Sequence, residues 1–149
     1  MKIILLIVAT ILGSNLNSVY AQTNQLLKGE LKFNKQQLSI KVDIAVTEAD
    51  RQTGLMFQTQ LASDHGMLFV FNDQAIRGVW MKNTLIPLDV IFLNDQAVIV
   101  SMLTKLQPCQ QSPCPSFSSE QPASYMLEMN AGFISVHQIK IGEKLSLPF

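Results

Sequence analysis

The sequence predicts a mostly β fold, a compact single-domain barrel-like sheet carrying two short helices. Three observations point there. Residues 38–46 alternate apolar and polar with a strict period of two. Further on, short apolar runs are each closed by turn residues, and only two segments carry helix-start chemistry.

Leu38, Ile40, Val42, Ile44 and Val46 alternate with Ser39, Lys41, Asp43 and Ala45, the pattern of a half-buried strand. Thr47-Glu48-Ala49-Asp50 sets an N-cap oxygen three residues before a carboxylate, predicting a short helix from Glu48 to about Met56, weakened at its end by Gly54. Met67 to Phe71 is a continuous apolar run between Asp64-His65-Gly66 and Asn72-Asp73, which predicts a strand buried on both faces. A strand is expected around Ile76 to Met81. Leu85 to Leu93 follows, with Pro87 near its start, where a missing N–H is best tolerated. Asn94-Asp95 turns the chain, and Ala97 to Leu103 returns as the hairpin partner.

Residues 107–122 break the pattern. Four of the six prolines (Pro108, Pro113, Pro115, Pro122) fall there with Cys109 and Cys114, so a long loop without regular structure is expected. Tyr125 to Met129 reads as a strand, Asn130-Ala131-Gly132 starts a short helix to about His137, and Lys144 to Leu147 is the last strand.

The first residues predict the compartment. Met1-Lys2 is a positive start, Ile3 to Leu12 is apolar apart from Thr10, and Val19-Tyr20-Ala21 places small residues where a signal peptidase needs them. Ten apolar residues span about 15 Å as a helix, roughly half a bilayer core, so a cleaved signal over residues 1–21 is favoured over a permanent anchor. Residue 22 is Gln, not Cys, so no lipid attachment is indicated. The domain plan is a signal peptide over 1–21, a lead-in over 22–37 and one β-rich domain over 38–149. The expected product is exported, periplasmic or secreted, and soluble with no membrane anchor. Its oligomeric state is not encoded in any visible pattern.

Removing Lys2 from the eleven basic residues leaves ten against eleven acidic ones, which is no electrostatic footprint for nucleic acid. Two cysteines in an oxidising compartment point to a disulfide, Cys109 to Cys114. Four residues separate them rather than two, so this is not a Cys-x-x-Cys redox motif. A loop this small makes the bond a local shaper rather than a fastener of the domain.

The runs in this order resemble one family. Glu48-x-x-Arg51-x-x-Gly54-Leu55-Met56, Gly66-Met67-Leu68-Phe69-Val70-Phe71, the decapeptide Trp80 to Asp89 (WMKNTLIPLD), Glu128-x-Asn130-Ala131-Gly132 and Ile141-Gly142-Glu143 look like its blocks. It is the exported, uncharacterised family catalogued as domain of unknown function 192, and the likeness covers about residues 38–147. The resemblance implies a small mixed β-barrel-like fold and no assigned activity. Gln58 stands where the family is expected often to carry Arg, and Phe117 where it often carries Tyr.

Candidate chemistry centres on Arg51, Trp80, Lys82, Asn83, Thr84 and Asp89 as ligand-binding residues. Trp80 with Lys82, Asn83 and Thr84 offers an aromatic platform, a cation and an amide, suited to a sugar or carboxylate ligand. The plainer alternative has Trp80 and Met81 filling the core while Lys82-Asn83-Thr84 makes a turn. Asp89 lies inside LIPLDVIFL, where alternation sets it opposite Leu88 and Val90. Facing inward, it must be paired, hydrogen-bonded or protonated, with Lys82, Arg51 and Arg77 as available cations. A functional carboxylate, a structural one and plain exposure all stay open.

Six methionines remain after Met1, singly within apolar runs, where Met is a gap-filler rather than a Cu(I) ligand. His65 and His137 lack zinc-like partner spacing, so no metal or other cofactor is expected. No Gly-x-Ser-x-Gly is present. Glu48, Asp50, Asp89 and Glu128 are the carboxylates from which a catalytic pair would have to come. The expectation is a non-enzymatic exported module for a small polar or anionic ligand. Its rivals are a structural or protein-interaction module of the envelope and, more remotely, a hydrolase using Asp89 or Glu128.

Overall fold

In the computed structural model, which describes residues 25–149, the first strand is β1 (Leu27–Phe33). It falls within the segment expected to be a lead-in; the expected signal peptide lies outside the described residues. β1 points Leu31 and Phe33 inward and Lys28, Glu30 and Lys32 outward, the same period of two that marks its partner β2 (Leu38–Ala45). The remaining strands are β3 (His65–Ala75), β4 (Gly78–Trp80), β5 (Leu88–Leu93), β6 (Ile99–Leu106), β7 (Ser116–Ser118), β8 (Ala123–Asn130) and β9 (Leu145–Ser146). Two helices, α1 (Glu48–Thr53) and α2 (Phe133–Val136), complete the fold.

Seven strands form one sheet in the order β6-β5-β8-β3-β2-β1-β9, with β2 and β3 parallel and the other neighbours antiparallel. The parallel pair requires a crossover, and α1 lies in it. The two edges of the sheet then meet. Leu145 N–H donates to the Ala97 carbonyl and Ile99 N–H to the Glu143 carbonyl, each at 2.9 Å, and Val98 bridges Lys144. Such contacts cover edges that would otherwise expose unpaired backbone groups. The predicted barrel-like β architecture with two short helices is therefore what the chain adopts.

The sheet has a core on each face. On one face Leu31, Phe33, Ile40, Val42, Ile44, Leu68, Ile91, Leu127 and Met129 pack with Phe133 and Ile134 of α2. On the other, Met67, Phe69, Leu88, Val90, Phe92 and Met126 pack beneath Leu55, Val79 and Met81. β4 and β7 pair in a small separate sheet over this second core, with Val79 opposite Phe117.

Several boundaries differ from the sequence reading. α1 stops at Thr53, because Gly54 adopts φ 47° as its cap. The capping box at its start is present: Thr47 Oγ1 accepts from Asp50 N–H, and Asp50 accepts in return from Thr47 N–H. The strand expected over 76–81 shortens to three residues, and 107–122 is not wholly irregular, since Ser116–Ser118 form β7. Met67, Leu68 and Phe69 are buried as expected, but Val70 and Phe71 are only half-buried.

Candidate functional site

The cleft lies on the second face of the sheet, between the C-terminal half of α1, β4 and the turn that follows it. Arg51 to Met56 form one wall, Gly78 to Trp80 with Lys82 and Thr84 the other, and Phe69, Met126 and Glu128 rise from the strands beneath. Its volume is about 80 Å³. A shallower hollow continues from it toward Glu48 and Phe71.

Glu128 is the group that sequence reasoning undervalued. In β8 it pairs with Met67 of β3 and Val90 of β5, both on the second core, so its side chain points to the cleft face with Met126. Only 6% of it is exposed. Among the described residues no side chain or backbone group pairs with its carboxyl, and burial alone pushes its pKa up to about 8. Gly66 is what lets β3 approach β8 here: a Cβ at that position would stand 2.8 Å from the Glu128 carbonyl oxygen.

The predicted ligand residues divide. Arg51, Trp80, Lys82 and Thr84 are brought together around the cleft. Arg51 is already engaged, because its Nη1 donates to the Val46 carbonyl at 2.6 Å and the Val70 carbonyl at 3.0 Å, and its guanidinium lies 5.4 Å from the Phe71 ring centre. Trp80 is not a core residue: it is 47% exposed, whereas Met81 beside it is 1% exposed. Lys82 Nζ sits 4.9 Å over the Trp80 ring. Thr84 is buried, and its N–H closes a turn onto the Met81 carbonyl at 3.1 Å.

Asn83 is absent from the lining. Its backbone, at φ 55°, accepts from Phe57 N–H at 2.9 Å and donates to the Cys109 carbonyl at 2.9 Å. It therefore ties the segment that follows α1 to the cysteine loop. Cys109 and Cys114 are disulfide-bonded, with Cα atoms 5.8 Å apart. Their loop braces the turn from behind, through Cys109 N–H to the Met81 carbonyl and a bridge between Lys82 and Cys109, rather than rimming the cleft.

Asp89 leaves the cluster altogether. It is 1% exposed and on the opposite face of the sheet from Glu128, where its carboxylate accepts three backbone N–H bonds. Lys105 N–H reaches Oδ1 at 2.9 Å, while Gly132 and Ile134 N–H reach Oδ2 at 3.0 and 2.9 Å. A bulge in β6 presents Lys105, and α2 presents the other two. No cation is needed: Arg51 and Lys82 are at the cleft, and Arg77 pairs with Asp73 at 2.7 Å. Of the four carboxylates that were to supply a catalytic pair, Asp50 is spent on the cap and Glu48 is exposed on α1. Asp89 and Glu128 are separated by the sheet itself.

Met67, Met81, Met126 and Met129 are buried in the two cores, and Met56 lines the cleft. His65 opens β3 with Nδ1 2.8 Å from Asp64, and His137 caps α2. Gln58 is exposed just past α1, and Phe117 is half-buried against the second core; neither lines the cleft.

The profile of the family DUF192, described as "Uncharacterized ACR", matches residues 30–147. The solved structures similar to this chain include two. One is described as a "putative transcription regulator (R01717) from Sinorhizobium meliloti 1021"; it is 30% identical with a TM-score of 0.76, over 82% of this chain and 95% of that one. The second is a protein of unknown function from Novosphingobium aromaticivorans DSM 12444, 27% identical with a TM-score of 0.73, over 82% of this chain and 85% of that one. Among curated proteins none matches.

Proposed function

This chain belongs to the DUF192 family, and we propose that it is an exported, non-catalytic binding module whose cleft takes a small polar ligand against the carboxyl of Glu128. One observation carries the reading. The carboxyl of a residue only 6% exposed, without a hydrogen-bond partner among the described residues, opens into a cleft walled by an exposed tryptophan. Holding it there costs stability at neutral pH, and groups kept in so perturbed a state cluster at functional sites. Polar groups at the floor with an aromatic wall are the usual make-up of a small-molecule site.

Binding is favoured over catalysis because the cleft lining gives Glu128 no second carboxylate, and no histidine, serine or cysteine, to work with. A role on nucleic acid finds no support in a chain with eleven basic and eleven acidic residues. The disulfide and the signal-like first 21 residues support export.

A second reading, docking of an envelope protein on the same face, draws on Phe57, Trp80 and Leu85. They are 67, 47 and 36% exposed, in the two segments that frame the cleft. A thermal-shift screen of the purified, oxidised protein against sugars, amino acids, amines and small acids separates the two. A ligand at a hundredfold excess over Kd raises the melting point by several degrees. Loss of that shift in both Glu128→Gln and Trp80→Ala supports the cleft. A hit that survives both substitutions, or no hit at all, moves the weight to the protein partner.

A further inference from the structure

Resting on the cleft as a ligand site, we infer its ligand class: the cleft receives a primary ammonium group, inserted toward the Glu128 carboxylate beneath Trp80. The lining carries one acid, Glu128, and two cations, Arg51 and Lys82. Glu128 lies at the floor, and among the described residues neither cation forms an ion pair with it. Arg51 is held by two carbonyls and the Phe71 ring, and Lys82 lies on Trp80. An incoming carboxylate would meet a second carboxyl, whereas an ammonium would supply the partner that a buried carboxylate lacks.

The rest of the lining agrees. Phe69 and Trp80 present aromatic rings, whose faces attract cations, and the Lys82 ammonium already rests on Trp80 at 4.9 Å. The Thr84 hydroxyl adds a neutral acceptor. The floor of the cleft, about 80 Å³, takes a few non-hydrogen atoms, the size of an alkylammonium head, and the hollow toward Glu48 and Phe71 leaves room for the rest of a larger molecule.

Proton balance follows from the state of Glu128. Burial keeps the carboxyl protonated at pH 7, so pairing with R–NH3⁺ leaves Glu128 as carboxylate and releases one proton to solvent. No covalent bond forms or breaks. The same ammonium chemistry can come from a free amine or from a lysine side chain of a peptide, and two arms of the test tell these apart.

The probes are propylamine, its neutral and anionic isosteres propanol and propanoate, and the blocked tripeptide acetyl-Gly-Lys-Gly-amide. Each is titrated at millimolar concentration into the full, oxidised protein and followed by melting point and calorimetry. Propylamine is expected to raise the melting point by roughly 3 °C at tenfold excess over Kd, while the isosteres do not. Calorimetry in buffers of different ionisation enthalpy should show close to one proton released at pH 7 and almost none at pH 9.5. Glu128→Gln should weaken the amine at least tenfold, and Trp80→Ala, a change at a half-exposed residue, provides a second variant that keeps the fold. A tighter peptide than propylamine assigns the ammonium to a polypeptide, and the reverse to a free amine. Propanol or propanoate binding in place of the amine, with loss in Glu128→Gln, overturns the ammonium class and leaves the site standing. No response to any of the four also overturns it, and the wider screen then decides the site by itself.

Discussion

Two acids sit one register step apart on neighbouring strands, and the sheet between them gives them opposite fates. Asp89 of β5 stands opposite Met129, and Glu128 of β8 stands opposite Val90. A shift of one residue along a strand reverses the face. Asp89 therefore enters the first core, where three backbone N–H groups surround it. Glu128 enters the second, where none does and an open cleft begins. Burial is nearly equal, at 1 and 6% exposure, so burial does not separate a structural carboxylate from a functional candidate. The supply of donors does. Asp89 joins β5, the β6 bulge and α2, whereas Glu128 contributes nothing to the fold that a neutral side chain of its shape would not.

The sharpest way to break this contrast is Asp89→Ala. It strands three N–H groups, one buried and two part-buried, each worth about 1–3 kcal/mol, so a loss of roughly 4–5 kcal/mol in denaturant unfolding is expected. A loss below about 1 kcal/mol would mean that Asp89 is not the staple described. Next in size is the pH dependence of Glu128. Its folded pKa, about 8, lies above the ordinary carboxylate value of 4.5. The folded state thus holds a proton that the unfolded state has released between these values. Stability from this group is highest below pH 4.5, falls through the window and levels off above about pH 8. The full fall is roughly 4–5 kcal/mol at about 1.4 kcal/mol per pH unit. Glu128→Gln should erase that slope in unfolding measured from pH 5 to 9, and an unchanged slope would assign it elsewhere. The smallest effect concerns the brace behind the cleft. Replacing Cys109 and Cys114 with Ser opens a very short loop, for which chain entropy gives about 2 kcal/mol. Ligand binding at Trp80 should weaken along with stability, and binding at full strength in the double variant would show that the loop does not hold the cleft.

The two acids also mark how far the sequence could be read. Asp89 stood out because a carboxylate inside LIPLDVIFL is conspicuous, and the period of two already set it opposite Leu88 and Val90. Its three donors were not visible, since they come from Lys105, Gly132 and Ile134, up to 45 residues away. Glu128 was one of four carboxylates with nothing to distinguish it. Its signal was present but weak: it lies in the run Tyr125 to Met129, where every neighbour is apolar or aromatic. The cluster of Arg51, Trp80, Lys82 and Thr84 was legible because three of its members share five residues of chain. The strand Leu27–Phe33 was passed over as a lead-in because its outward charges, Lys28, Glu30 and Lys32, hid an alternation that was there.

By itself, then, the sequence determined the β character of the chain, the capped start of α1, the pairing of its two cysteines and its resemblance to DUF192. All of these rest on residues close together along the chain, where periodicity, turn chemistry and capping act. The tertiary structure alone decided that β2 and β3 run parallel, that the edges β6 and β9 meet, and that Asp89 and Glu128 face apart. Those outcomes depend on register between strands remote in sequence, and register is chosen by the packing of two whole cores rather than by any local pattern.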